Sequence, residues 1–282
     1  MGKRGEDWNW SIQYIMNTYG FKFKKSLGQN FIKEESIVAK IADAANIEAK
    51  SLVIEIGPGS GMLTKQLALR ASQVLAYEID SQLENILDIE LNKFTNIDII
   101  FADFLKRNIK DDIARYNFDH LYLVANLPYY ITTPIITKFI EEDIPVDKIV
   151  IMVQKEVGER FNAKSGTKEY SSLTVFLNYY FDIKSEFLVG KDSFIPKPNV
   201  DSIVISLTKR KVLLPLHDKT HFFTLVRNSF KFKRKNLRNN LKEYNLDKVE
   251  QALNSLNKKL TNRAEELTLE DFVFISNYLT EE

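Results

Sequence analysis

The stretch LVIEIGPGSGMLTKQLAL, from Leu52 to Leu69, sets the architecture of this chain. It opens on five residues that are apolar except for Glu55, turns through Gly57, Gly59 and Gly61, and runs on into good helix formers. A short apolar run closed by glycine reads as a strand covered on both faces, and the segment after the glycines reads as a helix. The three glycines let the backbone turn tightly and let a ligand come close to the chain. A dinucleotide fingerprint, G-x-G-x-x-G/A, would need a small residue at position 62, where Met62 stands. No Gly-Lys-Ser/Thr ending is present, which argues against a phosphate-cradling loop.

Further along the chain, four more runs have the same character: VLAYEI (Val74 to Ile79), IDIIF (Ile97 to Phe101), LYLVA (Leu121 to Ala125) and KIVIMV (Lys148 to Val153). Helical spacers between them imply right-handed crossovers and a doubly wound parallel sheet. FDIKSEFLV and VDSIVISL alternate more clearly and flank SFIPKPN, which predicts antiparallel strands closing the sheet. The fold class is α/β, with a Rossmann-like, seven-stranded, mostly parallel sheet. After Lys209 the strand signals stop and several short helices are predicted, the last opening at Thr268 with Asp271 at capping-box spacing. The chain then divides into an N-terminal extension (1–24), an α/β domain (25–208) and a small all-helical C-terminal domain (209–282).

Acids recur where strands end. Glu78 closes the second strand about 20 residues beyond the glycine loop, where a carboxylate can accept both hydroxyls of a ribose. Asp103, just after the third strand, is placed to accept from an adenine amino group. A glycine turn, a ribose acid and an adenine acid without a phosphate grip describe S-adenosylmethionine better than a dinucleotide. The fourth strand runs out into VANLPYY, Val124 to Tyr130. Asn126 then points into the same crevice. Its side-chain carbonyl and the Leu127 backbone carbonyl can accept the two hydrogens of an exocyclic adenine nitrogen, aiming the lone pair at a methyl sulfonium. No ionised base is needed, because the proton leaves a nitrogen already made cationic. Pro128 fixes the turn, and Tyr129 is a stacking platform for a base taken out of its helix. Phe194 is the candidate for the opposite wall.

Together these residues resemble the ribosomal RNA adenine dimethyltransferases, over about Lys25 to Leu241. SLGQNF, EIGPGSG, VANLPYY, VQKEV, SFIPKPNVDS and FKRKNLRNNL occur in the family's order. The likeness implies a class I methyltransferase fold and is nearest the small-subunit branch, which methylates two neighbouring adenosines near the 3′ end of 16S rRNA. It implies S-adenosylmethionine contacts at Asn30, Ile32, Gly57, Glu78, Asp103 and Asn126, to which the turn chemistry adds Gly59. It also implies a pre-small-subunit particle as partner. The large-subunit branch, associated with macrolide resistance, and a mainly non-catalytic assembly factor are the alternatives. The family's usual Asn is replaced by Tyr130, and no role is assigned to it.

Net charge is only +1, but it is unevenly spread. From Leu207 onward there are 15 Lys and Arg against 10 Asp and Glu, and before it 24 against 28. Arg227, Lys231, Arg234, Lys235, Arg238 and Lys242 fall on one third of a predicted helix, with Phe230, Leu237 and Leu241 beside them to pack it down. That face is expected to contact RNA phosphates, and Lys155 and Arg160 to extend it. His217 and His221 lie four apart but lack the glutamate and third ligand of a zinc site, so no metal is expected. The chain has no cysteine, no apolar run near the length of a membrane span and no export signal in MGKRGEDWNW. The expectation is a cytoplasmic monomer.

Overall fold

A computed structural model of the chain describes residues 24, 28–128 and 131–281. Its strands are β1 (Phe31–Ile32), β2 (Ser51–Ile56), β3 (Gln73–Glu78), β4 (Ile97–Phe101), β5 (His120–Asn126), β6 (Lys148–Gln154), β7 (Phe181–Val189), β8 (Phe194–Ile195) and β9 (Ser202–Lys209). Helices α1 (Glu35–Ala44), α2 (Met62–Ala68), α3 (Glu84–Leu91), α4 (Ile109–Ile113) and α5 (Thr132–Glu141) alternate with the first six strands. Two more, α6 (Lys155–Phe161) and α7 (Ser172–Tyr180), precede β7. After β9 come α8 (Lys219–Ser229), α9 (Leu237–Asn240), α10 (Leu246–Ser255) and α11 (Leu269–Thr280).

Seven strands form one sheet in the order β4-β3-β2-β5-β6-β9-β7, and β1 pairs antiparallel with β8 apart from it. The ladders β2–β3, β3–β4, β2–β5 and β5–β6 are parallel. From β2 the chain steps outward to β3 and β4, then returns to the other side of β2 for β5 and β6. Connections diverge at that reversal, which opens a crevice outside the carboxyl ends of the strands. All six residues of β2 are buried, and five of the six in β3. Burial on both faces is why these runs are apolar throughout instead of alternating. Val38 and Ile41 of α1 and Leu63 and Leu67 of α2 join Val53 and Val124 in one core cluster. Phe31 joins Ile86, Leu87 and Leu91 of α3 in another.

The chain divides into two compact units, each built from two segments: Met1–Lys155 with Ser185–Leu207, and Glu156–Lys184 with Thr208–Glu282. The chain crosses between them three times, at 155/156, 184/185 and 207/208. Residues 156–184 group with the C-terminal helices, a non-local association that local sequence pattern does not carry. Within that second unit Tyr179 and Tyr180 of α7 pack on Phe222 and Phe223 of α8, with ring centroids 5.3 and 5.9 Å apart. At Thr268 the predicted capping box forms. The Asp271 N–H donates to the Thr268 hydroxyl (3.2 Å), and the Thr268 N–H donates to the Asp271 carboxylate (2.9 Å).

The single helix predicted through Arg227 to Lys242 does not form. α8 stops at Ser229, residues 230–236 turn, and α9 starts under Asn236, whose side chain accepts the Asn239 N–H. The cause is the buried amide of Asn240. Its Oδ1 accepts from the Phe232 N–H (3.1 Å), and its Nδ2 donates to the carbonyls of Ser229 (2.6 Å) and Phe232 (3.3 Å). A short polar side chain thus offers the backbone partners that the helical ladder would otherwise supply. Like charges four apart, Lys231 with Lys235 and Arg234 with Arg238, further disfavour a continuous helix.

Candidate active site

The crevice at the β2/β5 reversal is a cavity of about 310 Å³ in the first unit. Its floor is the glycine loop. Gly57 has φ 72° and donates its N–H to the Tyr77 carbonyl (2.9 Å), which ties the loop to the end of β3. Gly59 has φ 59°, and a β-carbon there would sit 2.8 Å from Cε1 of Phe31. Both a positive φ and the nearness of Phe31 therefore require glycine at position 59.

Glu78, 4% exposed, sits beside that floor. One carboxylate oxygen accepts the Gly59 N–H (3.2 Å) and the other the Asp80 N–H (2.8 Å). Burial raises its pKa against the pull of these two bonds. Each oxygen keeps a second lone pair, so the group can still accept from two ligand hydroxyls. Asp80, buried at the next turn, was not read from the sequence. It accepts from Lys24 Nζ (2.6 Å) and Gln29 Nε2 (2.8 Å), anchoring the segment that carries Asn30. Burial pushes its pKa up, but the bonds from Lys24 and Gln29 outweigh burial and hold it below the usual carboxylate range. Its position two residues after Glu78 in YEID was the available signal.

Glu55 is the other residue sequence reasoning missed. It lines the cavity, is fully buried, and neither carboxylate oxygen has a hydrogen-bond partner among the protein atoms. Burial, reinforced by the Glu78 charge, pushes its pKa up to about 8. The nearby Thr64 hydroxyl opposes that shift, but it too meets no hydrogen-bond geometry, so burial dominates. Asp103 is half-buried, and one of its oxygens caps the next turn by accepting the Leu105 N–H (3.0 Å).

Asn126 ends β5 on the same edge. Its Nδ2 donates to the Asn30 backbone carbonyl (3.1 Å), which leaves Oδ1 as the free acceptor of the amide. Asn30, Ile32, Gly57, Gly59, Glu78, Asp103, Asn126 and Leu127 all line the one cavity. Phe194 does not. It is 2% exposed and packs in the core with Ile32 and Val38, because β8 pairs with β1 and turns the ring inward. The wall assigned to it is thus corrected to packing behind the cavity. Tyr129 and Tyr130, and the extension before Lys24, lie outside the described residues.

Of the predicted RNA contacts, Lys155 closes the first segment of the first unit and the others fall in the second. Lys231, Arg234, Lys235 and Arg238 are exposed. The Arg227 guanidinium lies 5.6 Å from the centre of the Phe176 ring, and Arg160 pairs with Glu156 (3.2 Å). Among the described residues no cluster of His, Asp or Glu is arranged to hold a metal ion, and His221 instead meets the Ser276 hydroxyl at 2.9 Å. No helix among them is long and apolar enough to cross a membrane.

A seven-stranded sheet of this order, with a glycine loop and strand-end acids around its switch point, is the fold of the Rossmann-like methyltransferases. The match to known proteins is more specific. The chain belongs to the ribosomal RNA adenine dimethylase family, whose sequence signature matches residues 20–281. It is 45% identical over 275 residues to ribosomal RNA small subunit methyltransferase A of Bacillus cytotoxicus, covering 94% of each chain. Among solved structures, a dimethyladenosine transferase from Plasmodium falciparum superposes with a TM-score of 0.71 at 26% identity, over 87% of this chain and 95% of that one. The 23S rRNA methyltransferase ErmE gives 0.69 at 27%, over 89% and 100%.

Proposed function

We propose that the protein transfers methyl groups from S-adenosylmethionine to N6 of two adjacent adenosines near the 3′ end of 16S rRNA, acting as a monomer on a pre-small-subunit particle in the cytoplasm. The observation that carries this reading is the convergence of Gly57, Glu78, Asp103 and Asn126, from the ends of four adjacent parallel strands, on one cavity. The two solved structures superpose almost equally well and do not separate the small-subunit from the large-subunit reaction. The 45% relative, named for the small subunit, favours the former.

The residues present fit the donor. At Gly59 a β-carbon would run into the Phe31 ring, and the Glu78 carboxylate lines the same cavity. S-adenosylmethionine, when bound, supplies a methyl group activated by its sulfonium. Asn30, Ile32, Gly57 and Gly59 hold the donor, Glu78 takes its ribose hydroxyls, and Asp103 takes its adenine amino group. Asn126 Oδ1 and the Leu127 carbonyl accept the two hydrogens of the target amine. That aims the lone pair without an ionised base, and Tyr129 stacks on the extruded base. Arg160, Arg227, Lys231, Arg234, Lys235 and Arg238 meet RNA phosphates.

The test is mass spectrometry of adenosines in 16S rRNA from a strain lacking the gene. Dimethyladenosine should vanish on deletion, return with the wild-type gene and stay absent with Asn126→Ala. Dimethyladenosine unchanged in 16S rRNA but lost from 23S rRNA would move the reaction to the large subunit.

A further inference from the structure

The basic turn carries one residue that phosphate contact does not explain. Phe232 is 55% exposed in the middle of four exposed cations, Lys231, Lys233, Arg234 and Lys235. Single exposed apolar side chains are common and need no account by themselves. Here the backbone of Phe232 is held on both sides by one buried amide, since Asn240 takes its N–H and donates to its carbonyl. Two residues earlier, Phe230 turns inward, its ring 5.8 Å from Phe272 and 6.0 Å from Tyr170. The turn therefore sorts its two rings, one in against Phe272 and Tyr170 and one out among the cations, and fixes the outward one in place. Lys231 Nζ lies 5.8 Å from the Phe232 ring centre, where it is placed to meet a phosphate next to whatever that ring meets.

We infer that Phe232 is a stacking platform for an unpaired RNA base, with the surrounding cations gripping the phosphates on either side of that base. An occupant of this turn must present a flat apolar face and negative charge within one side chain's reach. A single-stranded nucleotide does both, and every base offers a face to stack on. The inference rests on the reading that this turn meets ribosomal RNA, and it adds a second base contact distinct from the target adenine.

The experiment compares Phe232→Ala, Phe232→Trp and the triple change of Lys233, Arg234 and Lys235 to Gln, each in the full chain, with a single-stranded RNA 20-mer and with inorganic polyphosphate as probes. Phe232→Ala should weaken RNA binding about tenfold, the size of a lost base–aromatic stack. It should leave the slope of log affinity against log salt unchanged, because no cation is removed. Polyphosphate binding and Tm should not move. Phe232→Trp should restore affinity, and RNA should quench its added fluorescence relative to wild type. The triple change should flatten the salt slope by up to about three phosphates. If Phe232→Ala binds RNA like wild type while the triple change does not, the turn grips phosphate only and the stacking inference falls, with the RNA reading intact. If neither variant changes RNA binding, the RNA reading of the turn itself falls. Equal loss on polyphosphate would show that the ring merely shapes the turn. That result also overturns the inference.

Discussion

Replacing Glu55 with Gln should stabilise the protein, by an amount that grows with pH. Glu55 has its ordinary value of 4.5 in the unfolded chain and about 8 in the folded one, because its carboxyl is fully buried without a partner and faces Glu78. The sign comes from linkage. Below pH 4.5 both states hold the proton and Glu55 contributes no pH dependence. Between 4.5 and 8 the unfolded chain releases a proton that the folded chain retains, so stability falls by about 1.4 kcal/mol per pH unit. Above about 8 the loss is complete, on the order of 5 kcal/mol. At pH 7 the wild type should therefore carry a burden of roughly 3 kcal/mol that the variant lacks. The amide keeps the size of the carboxyl and cannot ionise, so at pH 5 the two proteins should differ little.

Urea unfolding of both proteins at pH 5, 6, 7 and 8 and constant ionic strength measures this. Every other titrating group is common to both, so the variant-minus-wild-type difference isolates Glu55. If the two units unfold in separate steps, the difference should appear in the step that loses the α/β unit. Stabilities that run parallel across the range, within about 0.5 kcal/mol, would mean that Glu55 is ionised in the fold and would refute the burial argument.

Three further outcomes concern the same site. Asp80→Asn removes the acceptor charge for Lys24 and Gln29 and should lower donor affinity by about tenfold or more, the low end of a charged hydrogen bond's worth, while RNA affinity holds; calorimetry with each ligand reads both. Gly59→Ala puts a β-carbon 2.8 Å from Phe31 at a positive φ and should cost about 2 kcal/mol or more in urea unfolding together with donor binding. Asn126→Ala should cut single-turnover methylation of a small-subunit RNA by at least about 100-fold with RNA binding retained, since its proposed role is to orient the attacking amine.

Much of the site was legible because the parallel sheet makes it so. When strands are buried on both faces they stand out as apolar runs, and when they are parallel the residues ending those runs share one edge. Reading Gly57, Glu78, Asp103 and Asn126 together required only those two facts. Phe194 was misplaced because nothing local says which way a ring on a two-residue strand will turn; its pairing with β1 decides that. The basic helix failed for a similar reason. Periodicity put the cations on one face with Phe230, Leu237 and Leu241 beside them, and both leucines are buried. That division of the side chains survives, but Asn240 supplies the hydrogen bonds that convert the helix into a turn. Glu55 and Asp80 were passed over because an acid inside a motif reads as part of the motif. Only the structure shows that one has no partner and that the other accepts from Lys24, Gln29 and the Gln82 N–H.

Those two buried acids bear on why the acceptor at position 126 is an amide. A side-chain amide has one donor end and one acceptor end, and which end faces the amine must be fixed from outside. Here the Asn30 carbonyl fixes it, because only Nδ2 can face a carbonyl, and Oδ1 is left toward the cavity. A carboxylate at this position would turn a hydrogen bond into a repulsion at the same 3.1 Å. Asn30 is in turn held through its neighbour Gln29, whose amide donates to Asp80, and the Asp80 N–H donates to Glu78. Glu78 and Asn126, the proposed ribose and amine acceptors, thus stand at two ends of one short chain of bonds across the cavity floor.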